Sequence, residues 1–546
     1  MKTLFRMLAG LLLAGAFQLC VAASPPALVV VLVIDGLPQE QVVKYADLYG
    51  RGGLRLLLED GAWYGNAHHG HAVTLTAPGH ATMLTGAYPN RTGIIANEWT
   101  DRHTLEQVYN TGDAAHRYIG DPTGKLDGTS PARLRVTTVG DELRYATGGQ
   151  SKVVAISGKD RGAILLAGKR GTAYMYMAAS GRFASSTYYM QEHPAWHSAY
   201  YATRPQDKWF GQSWSLLLPE AAYARSLAGK QPWFRAFAGM GVDFPLSFPK
   251  ADKPGPSYYS ALIRTPFGDE ATLDFARAAI EGENLGRNPA GVPDLLGVSL
   301  STHDYVNHGF GPESRQSQDH LLRVDRALAG FFEYLDRRIG LDNVIITLSA
   351  DHGFVNAPEY SASIGMPGAR LNALKLISDL NEHLAARFGA GNHALRLSFP
   401  TIILDQVLIA RKSLNPADVE NVAARFLGNY PGIAAVFTRT QLETGALPDT
   451  PLARQVQRAW NRELSGDLYL VQVPNAMFGG LVATHGSPWT YDTHVPLMLH
   501  GKRWFKPGKQ ARKAYVADLA PTLTHVLDIR QPSASEGRVL EEILRP

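Results

Sequence analysis

The chain reads as an α/β protein built on a mostly parallel central sheet with helices on both faces. One observation behind this is a set of four apolar runs: Leu28 to Ile34, Val153 to Ile156, Leu295 to Leu300 and Val344 to Leu348. Short continuous runs rich in Val, Ile and Leu are the pattern of strands buried on both faces, as in parallel sheets. The other is the polar residue just beyond each run: Asp35, then Lys159 and Arg161, then Asp304, then Asp351. Ligands of open α/β sheets sit beyond the carboxyl ends of the strands. Four runs that deliver cation- or anion-binding residues there describe one polar site at one sheet edge.

Taken from the N-terminus, the first element is a leader. Lys2 and Arg6 precede an apolar stretch from Met7 to Ala16, and small residues surround a cleavage point after Ala23. A basic start, a short apolar centre and a small-residue end mark a secretory signal peptide over residues 1–23. The protein is therefore expected to be exported, periplasmic or secreted, with no membrane contact once the leader is removed. Cys20 is the single cysteine and lies in that leader. Any metal in the mature protein must be held by His and carboxylates.

Residues 24–546 are expected to form one discontinuous catalytic domain, because the candidate site residues spread from Asp35 to His485. Insertions are expected at about 172–290, which is rich in Tyr, Trp, Pro and Gly, and at about 358–480. The second block contains a strand-like stretch from Leu395 to Leu404 and a helical one from Pro416 to Leu427. Between the blocks, Glu313 to Ile339 carries Leu321, Leu322, Val324, Leu328, Phe331 and Phe332 near the helical period. The net charge is +4, of which the leader supplies two, so nothing points to nucleic acid or an anionic membrane surface.

The candidate metal ligands begin with Asp304 and His308, four residues apart. In a helical segment they share one face and can close on one cation. Asp351 and His352 end the next apolar run, with Gly353 permitting a sharp exit, and Asp35 is followed by Gly36. His485 precedes a Gly/Pro turn. Three Asp and three His suffice for two zinc ions with open positions for substrate, an arrangement suited to in-line displacement at phosphorus. His68, His69 and His71 do not follow a strand, and His80 and His303 are expected in supporting or packing roles.

Thr76, ahead of Pro78 in Thr76-Ala-Pro-Gly-His80, reads as the entry to a short helix. A hydroxyl there feels the positive helix end, and it becomes a competent nucleophile once a metal or base takes its proton. Residue chemistry alone does not separate Thr76 from Thr74.

The succession of Asp35, Thr76, Asn97, Asp304 with His308, Asp351-His352-Gly353 and His485-Gly486 resembles the alkaline phosphatase superfamily. Within it the chain is similar to the PafA-type phosphate-irrepressible alkaline phosphatases, which are related to nucleotide pyrophosphatase/phosphodiesterases. The tail motifs Asp518-Leu-Ala-Pro-Thr522 and Ser535-Glu-Gly-Arg538 extend the resemblance over nearly the whole mature chain. It implies an alkaline-phosphatase-like core and two Zn2+ ions. One would be held by Asp304, His308 and His485, the other by Asp35, Asp351, His352 and the Thr76 hydroxyl. It also implies that Thr76 attacks phosphorus, giving a phosphothreonine that water hydrolyses.

Asn97, Lys159 and Arg161 would bind the phosphoryl oxygens. The Lys159-Asp160-Arg161-Gly162 run fits the PafA-type pattern, and two cations suit the extra charged oxygen of a monoester. The expected partners are small-molecule phosphate monoesters, and the protein is expected to be a monomer. The alternatives are a phosphodiesterase or nucleotide pyrophosphatase on the same core, or an exported zinc- or phosphate-binding protein without turnover. A sulfatase is disfavoured, because the Thr76 motif lacks the Cys or Ser and the Arg that such enzymes use.

Overall fold

The computed structural model describes residues 24–546, so the leader lies outside the described residues. The central sheet has nine strands. They are β1 (Leu28–Ile34), β2 (Ala62–Tyr64), β3 (Val153–Ser157), β4 (Thr172–Met177), β5 (Arg182–Ala184), β6 (Asp294–Leu300), β7 (Val344–Ser349), and two later ones. A second sheet intervenes in the chain with β8 (Ala394–Ser398), β9 (Thr401–Leu404), β10 (Ile433–Thr438) and β11 (Leu468–Gln472). Strands β12 (Leu497–His500) and β13 (Gly508–Gln510) complete the first.

Across the central sheet the order is β13-β2-β12-β7-β1-β6-β3-β4-β5. The five strands from β7 to β4 run parallel, and antiparallel pairing enters only with β12 and β5. The mostly parallel sheet is thus present, and all four apolar runs are neighbours within it. Every residue of β1, β6 and β7 is buried. Since successive side chains point to opposite faces, both faces of these strands are covered. Helices supply that cover. They include α1 (Thr76–Thr85) and α2 (Asp160–Ala167), which pack together, and α3 (Pro266–Glu283), which packs on α5 (Arg315–Ile339), with α4 (Thr302–Phe310) between them in the chain.

Helix α5 starts two residues later than its periodicity suggests. Ser314 caps it by accepting a hydrogen bond from the backbone N–H of Ser317, which leaves Glu313 outside. The stretch from Leu395 to Leu404 is a correction of a different kind, since it forms not one strand but the antiparallel hairpin β8-β9. Pro400 has no N–H to give a ladder and sits in the turn. That hairpin belongs to the all-antiparallel sheet β8-β9-β11-β10, backed by α6 (Ala373–Phe388) and α7 (Pro416–Gly428) around a separate apolar cluster that includes Leu380, Leu404 and Leu427. Residues 172–184 add β4 and β5 to the central sheet, and α3 packs on β6, so the aromatic block is tied to the core near both its ends.

Register explains why the site forms where it does. Val33 of β1 pairs with Ser299 of β6 and Ser349 of β7, and Ser299 pairs with Ser157 of β3. Two residues beyond this single transverse row stand Asp35, Ser301, Asp351 and Lys159. Neighbouring strands are about 4.8 Å apart, so groups equally far past one row meet at the sheet edge.

Candidate metal and phosphoryl site

At that edge the six Asp and His residues singled out above converge. Donor atoms of Asp304, His352 and His485 lie within 4.8 Å of one another, and so do those of Asp35, Asp351 and His352. His308 joins through Asp304: α4 does carry both on one face, and His308 Nε2 is 3.3 Å from Asp304 Oδ1. His352 and His485 stack with ring centroids 3.4 Å apart, and the His352 Nε2 atom is 3.5 Å from both Asp35 Oδ1 and Asp351 Oδ2. His352 therefore stands where the two ligand groups meet, closer to both than the separate division of ligands expresses.

The hydrogen bonds of the three rings show what the cluster presents. Nδ1 of His308, His352 and His485 lies 2.9, 2.9 and 2.8 Å from the backbone carbonyls of Ala483, Gly353 and Thr74. A carbonyl can only accept, so each Nδ1 carries the hydrogen, and in the neutral ring each Nε2 presents a lone pair. Those lone pairs face carboxylate oxygens, 3.3 to 3.9 Å away. Burial also holds the His352 and His485 imidazoles below the ordinary histidine pKa, which favours the neutral ligand form. Oδ1 and Oδ2 of Asp35, Asp304 Oδ1, Asp351 Oδ2 and His352 Nε2 are all buried with no hydrogen-bond donor directed at them. Acceptors facing acceptors repel in a dry site. Cations between them would make each of these contacts favourable, so the donor set fits bound metal.

Lys159 is the one ammonium inside the cluster. Its Nζ is 2.5 Å from Asp304 Oδ2 and 2.8 Å from Asp35 Oδ2, the second at an angle too poor for a directed hydrogen bond. Burial alone would lower its pKa, but Asp304 and Asp35 hold it charged, above the ordinary lysine value. The three carboxyls respond differently to their shared burial. Asp35 is pushed up by desolvation and by Asp351, whereas Asp304 is held well down, against its own desolvation, by the His308 ring in its protonated form and by Lys159.

Lys159 and Arg161, which follow the strand β3, stand at the start of a helix rather than in a loop. Lys159 caps α2 and Arg161 lies in its first turn, because Gly158 takes the bend and Asp160 suits the positive helix end. Both cations thus add to that end. Arg161 donates from Nη1 to Tyr109 Oη at 3.2 Å, Tyr109 donates on to Asp160 at 2.5 Å, and Arg161 Nε is buried without a partner. Tyr109 lies 52 residues before Arg161, and no pattern in one sequence announces it.

Thr76 opens α1 as expected, and it is 1 % exposed with its Oγ1 buried and unpartnered. Asn97 is placed beside it, because the Ala77 N–H donates to Asn97 Oδ1 at 2.8 Å. That bond leaves the Asn97 NH2 as a fixed, available donor. His80, one turn after Thr76, has Nδ1 2.9 Å from the Thr76 carbonyl and 3.2 Å from Asp351 Oδ2, while its Nε2 is 2.8 Å from Ser299 Oγ. Its supporting role follows from the i, i+4 spacing. His69 donates from Nε2 to the Ala350 carbonyl at 2.9 Å and His303 bonds to Gln41 and His320, and neither belongs to the two close groups of Asp and His donors.

Gly79 sets the approach of α1. A Cβ there would stand 2.1 Å from the Asp351 carbonyl oxygen, which is backbone and cannot swing aside. Gly79→Ala is expected to push α1 off Asp351, lowering stability by about 2 kcal/mol and turnover at least about tenfold. Thermal unfolding and steady-state rates on the same preparation check this, and an unchanged pair of values would refute it.

A cleft of about 1090 Å³ between α6 and α7 shares no residue with this cluster, so chemistry rather than size locates the site. No helix among the described residues is long and apolar enough to cross a membrane.

The comparisons with known proteins agree with the geometry. Residues 29–424 match the family described as type I phosphodiesterase/nucleotide pyrophosphatase. The alkaline phosphatase PhoV of Synechococcus elongatus is 36% identical over 95% of this chain and 93% of its own. A Myroides odoratus protein named calcium-transporting ATPase is 34% identical over 97% of each. The crystal structure of wild-type alkaline phosphatase PafA superposes with a TM-score of 0.88 at 31% identity, over 96% of this chain and all of that one. The chain thus belongs to the type I phosphodiesterase/nucleotide pyrophosphatase family and, within that family, to the alkaline phosphatases of the PafA type.

Proposed function

We propose that the protein is an exported di-zinc phosphatase that hydrolyses phosphate monoesters of broad range through a phosphothreonine at Thr76. The observation that carries this is the placement of a buried, unpartnered Thr76 hydroxyl on a helix tied through His80 to Asp351, at the edge of the Asp/His cluster. Export rests on the leader pattern of residues 1–23. Asp304, His308 and His485 would hold one zinc, and Asp35, Asp351 and His352 the other, with the Thr76 hydroxyl against the second. When bound, the two ions would supply Lewis-acid charge that makes a hydroxyl acidic and offsets negative charge on phosphoryl oxygens.

The chain's own residues then do the positioning. Thr76 Oγ loses its proton and bonds to phosphorus, the bond from phosphorus to the alcohol oxygen breaks, and the alcohol leaves with a proton. Water cleaves the phosphothreonine, releasing phosphate and restoring Thr76. The Asn97 NH2 donates to one non-bridging oxygen, and Lys159 and Arg161 face the others. A monoester is largely a dianion above about pH 6. It has one charged oxygen more than a diester, and this pair of cations suits it.

Rates on phenyl phosphate and on its methyl diester test the reading, alongside metal analysis of the same preparation and with ATP included because one relative bears an ATPase name. The expected result is about two zinc per chain and a kcat/KM for the monoester at least about 100-fold above the diester. A clear preference for the diester would assign the site to phosphodiester hydrolysis instead.

A further inference from the structure

Beyond Arg161 lies a cavity of about 410 Å³, within the range of small-molecule sites. Its lining includes Lys159, Arg161, Tyr109, Tyr176, Tyr305 and Arg264. Tyr305 is the residue after Asp304 of the metal site, and its ring has two cations near it. Lys159 Nζ is 5.2 Å and Arg264 Cζ 5.0 Å from the same ring centroid. One aromatic ring therefore links Arg264 to the cations of the phosphoryl site.

What distinguishes Arg264 is its lack of an acidic partner. Its guanidinium donates to the Ser260 backbone carbonyl and hydroxyl, and it forms no ion pair among the described residues. The acids at the cavity rim are engaged elsewhere: Asp160 with Tyr109 and the Gly128 N–H, Asp121 with Arg182, and Asp127 with the Gly124 N–H. Arg161 Nε, buried and unpaired, belongs to the same cavity. A pocket with tyrosines in its lining, one guanidinium without an acidic partner and carboxylates already hydrogen-bonded elsewhere suits an anion attached to a larger body.

We propose that this cavity receives the alcohol portion of the substrate and that Arg264 binds a second anionic group carried on it, a carboxylate or second phosphate. The inference rests on the monoesterase reading, in which Lys159 and Arg161 hold the reacting phosphoryl group. It makes the preferred substrates of a broad-range phosphatase those whose leaving alcohol is itself negatively charged. Arg264 would act on specificity alone, since it touches neither the ligand cluster nor Thr76.

In the metal-loaded enzyme, Arg264→Ala is expected to lower kcat/KM for 4-carboxyphenyl phosphate about tenfold more than for phenyl phosphate, mainly through KM. Arg264→Lys should restore most of that difference, and Arg264→Glu should reverse the preference toward 4-(aminomethyl)phenyl phosphate. Equal changes on all three esters, in variants that unfold at the wild-type temperature, would overturn the inference. Failure of the wild-type enzyme to turn over phenyl phosphate would overturn the monoesterase reading instead.

Discussion

Replacing Thr76 with Ala is expected to lower kcat for aryl phosphates by on the order of 10⁴-fold or more while leaving the zinc content unchanged, because removal of a nucleophile abolishes the covalent route outright. The metal content should persist because groups other than Thr76 hold the Asp and His donors in place. His308, His352 and His485 are each fixed by a backbone carbonyl, and Asp351 Oδ1 by the Gly36 N–H. The fold should persist as well, since Thr76 Oγ1 makes no hydrogen bond that Ala would lose. Thr76→Ser is the companion variant: it restores a hydroxyl and should recover turnover. Metal analysis and single-turnover rates on the two variants decide the matter, and a Thr76→Ala enzyme that keeps full activity would eliminate this nucleophile.

Much of this site is legible in the sequence because its strands are buried on both faces. Such strands write themselves as unbroken apolar runs, and the polar residue that ends each run is the one that reaches the sheet edge. Strands at the far side of the sheet carry no such mark. Ala62–Tyr64 and Gly508–Gln510 are three residues long and pair with each other only because the chain returns from a distant part of the sequence. The hairpin at residues 394–404 reads as one strand because the apolar alternation continues through its turn, with Pro400 as the sole interruption. The candidate ligands are visible for a chemical reason, since buried Asp and His at strand ends are costly unless something binds them. Tyr109 and Arg264 are not visible. A tyrosine in a short strand pair and an arginine after a helix have no local pattern, and only the cavity gives them meaning.

The same contrast between charge and contact governs the second large effect. Neutralising both cations, in the Lys159→Ala/Arg161→Ala enzyme, is expected to lower kcat/KM for phenyl phosphate roughly 10³-fold, and for its methyl diester no more than about tenfold. The two substitutions are not equivalent. Lys159 touches Asp35 and Asp304, so its removal leaves buried carboxylates with less compensating charge and can disturb the metal ligands, which would slow both substrates together. Arg161 touches Tyr109 and Asp160 and none of the ligands. Arg161→Ala alone therefore isolates recognition of the phosphoryl oxygen from damage to the metal site. Its loss on the monoester should exceed its loss on the diester by about tenfold or more. If Arg161→Ala slowed the two esters equally at unchanged zinc content, the cations would be part of the scaffold and the preference for monoesters would have to arise elsewhere in the site.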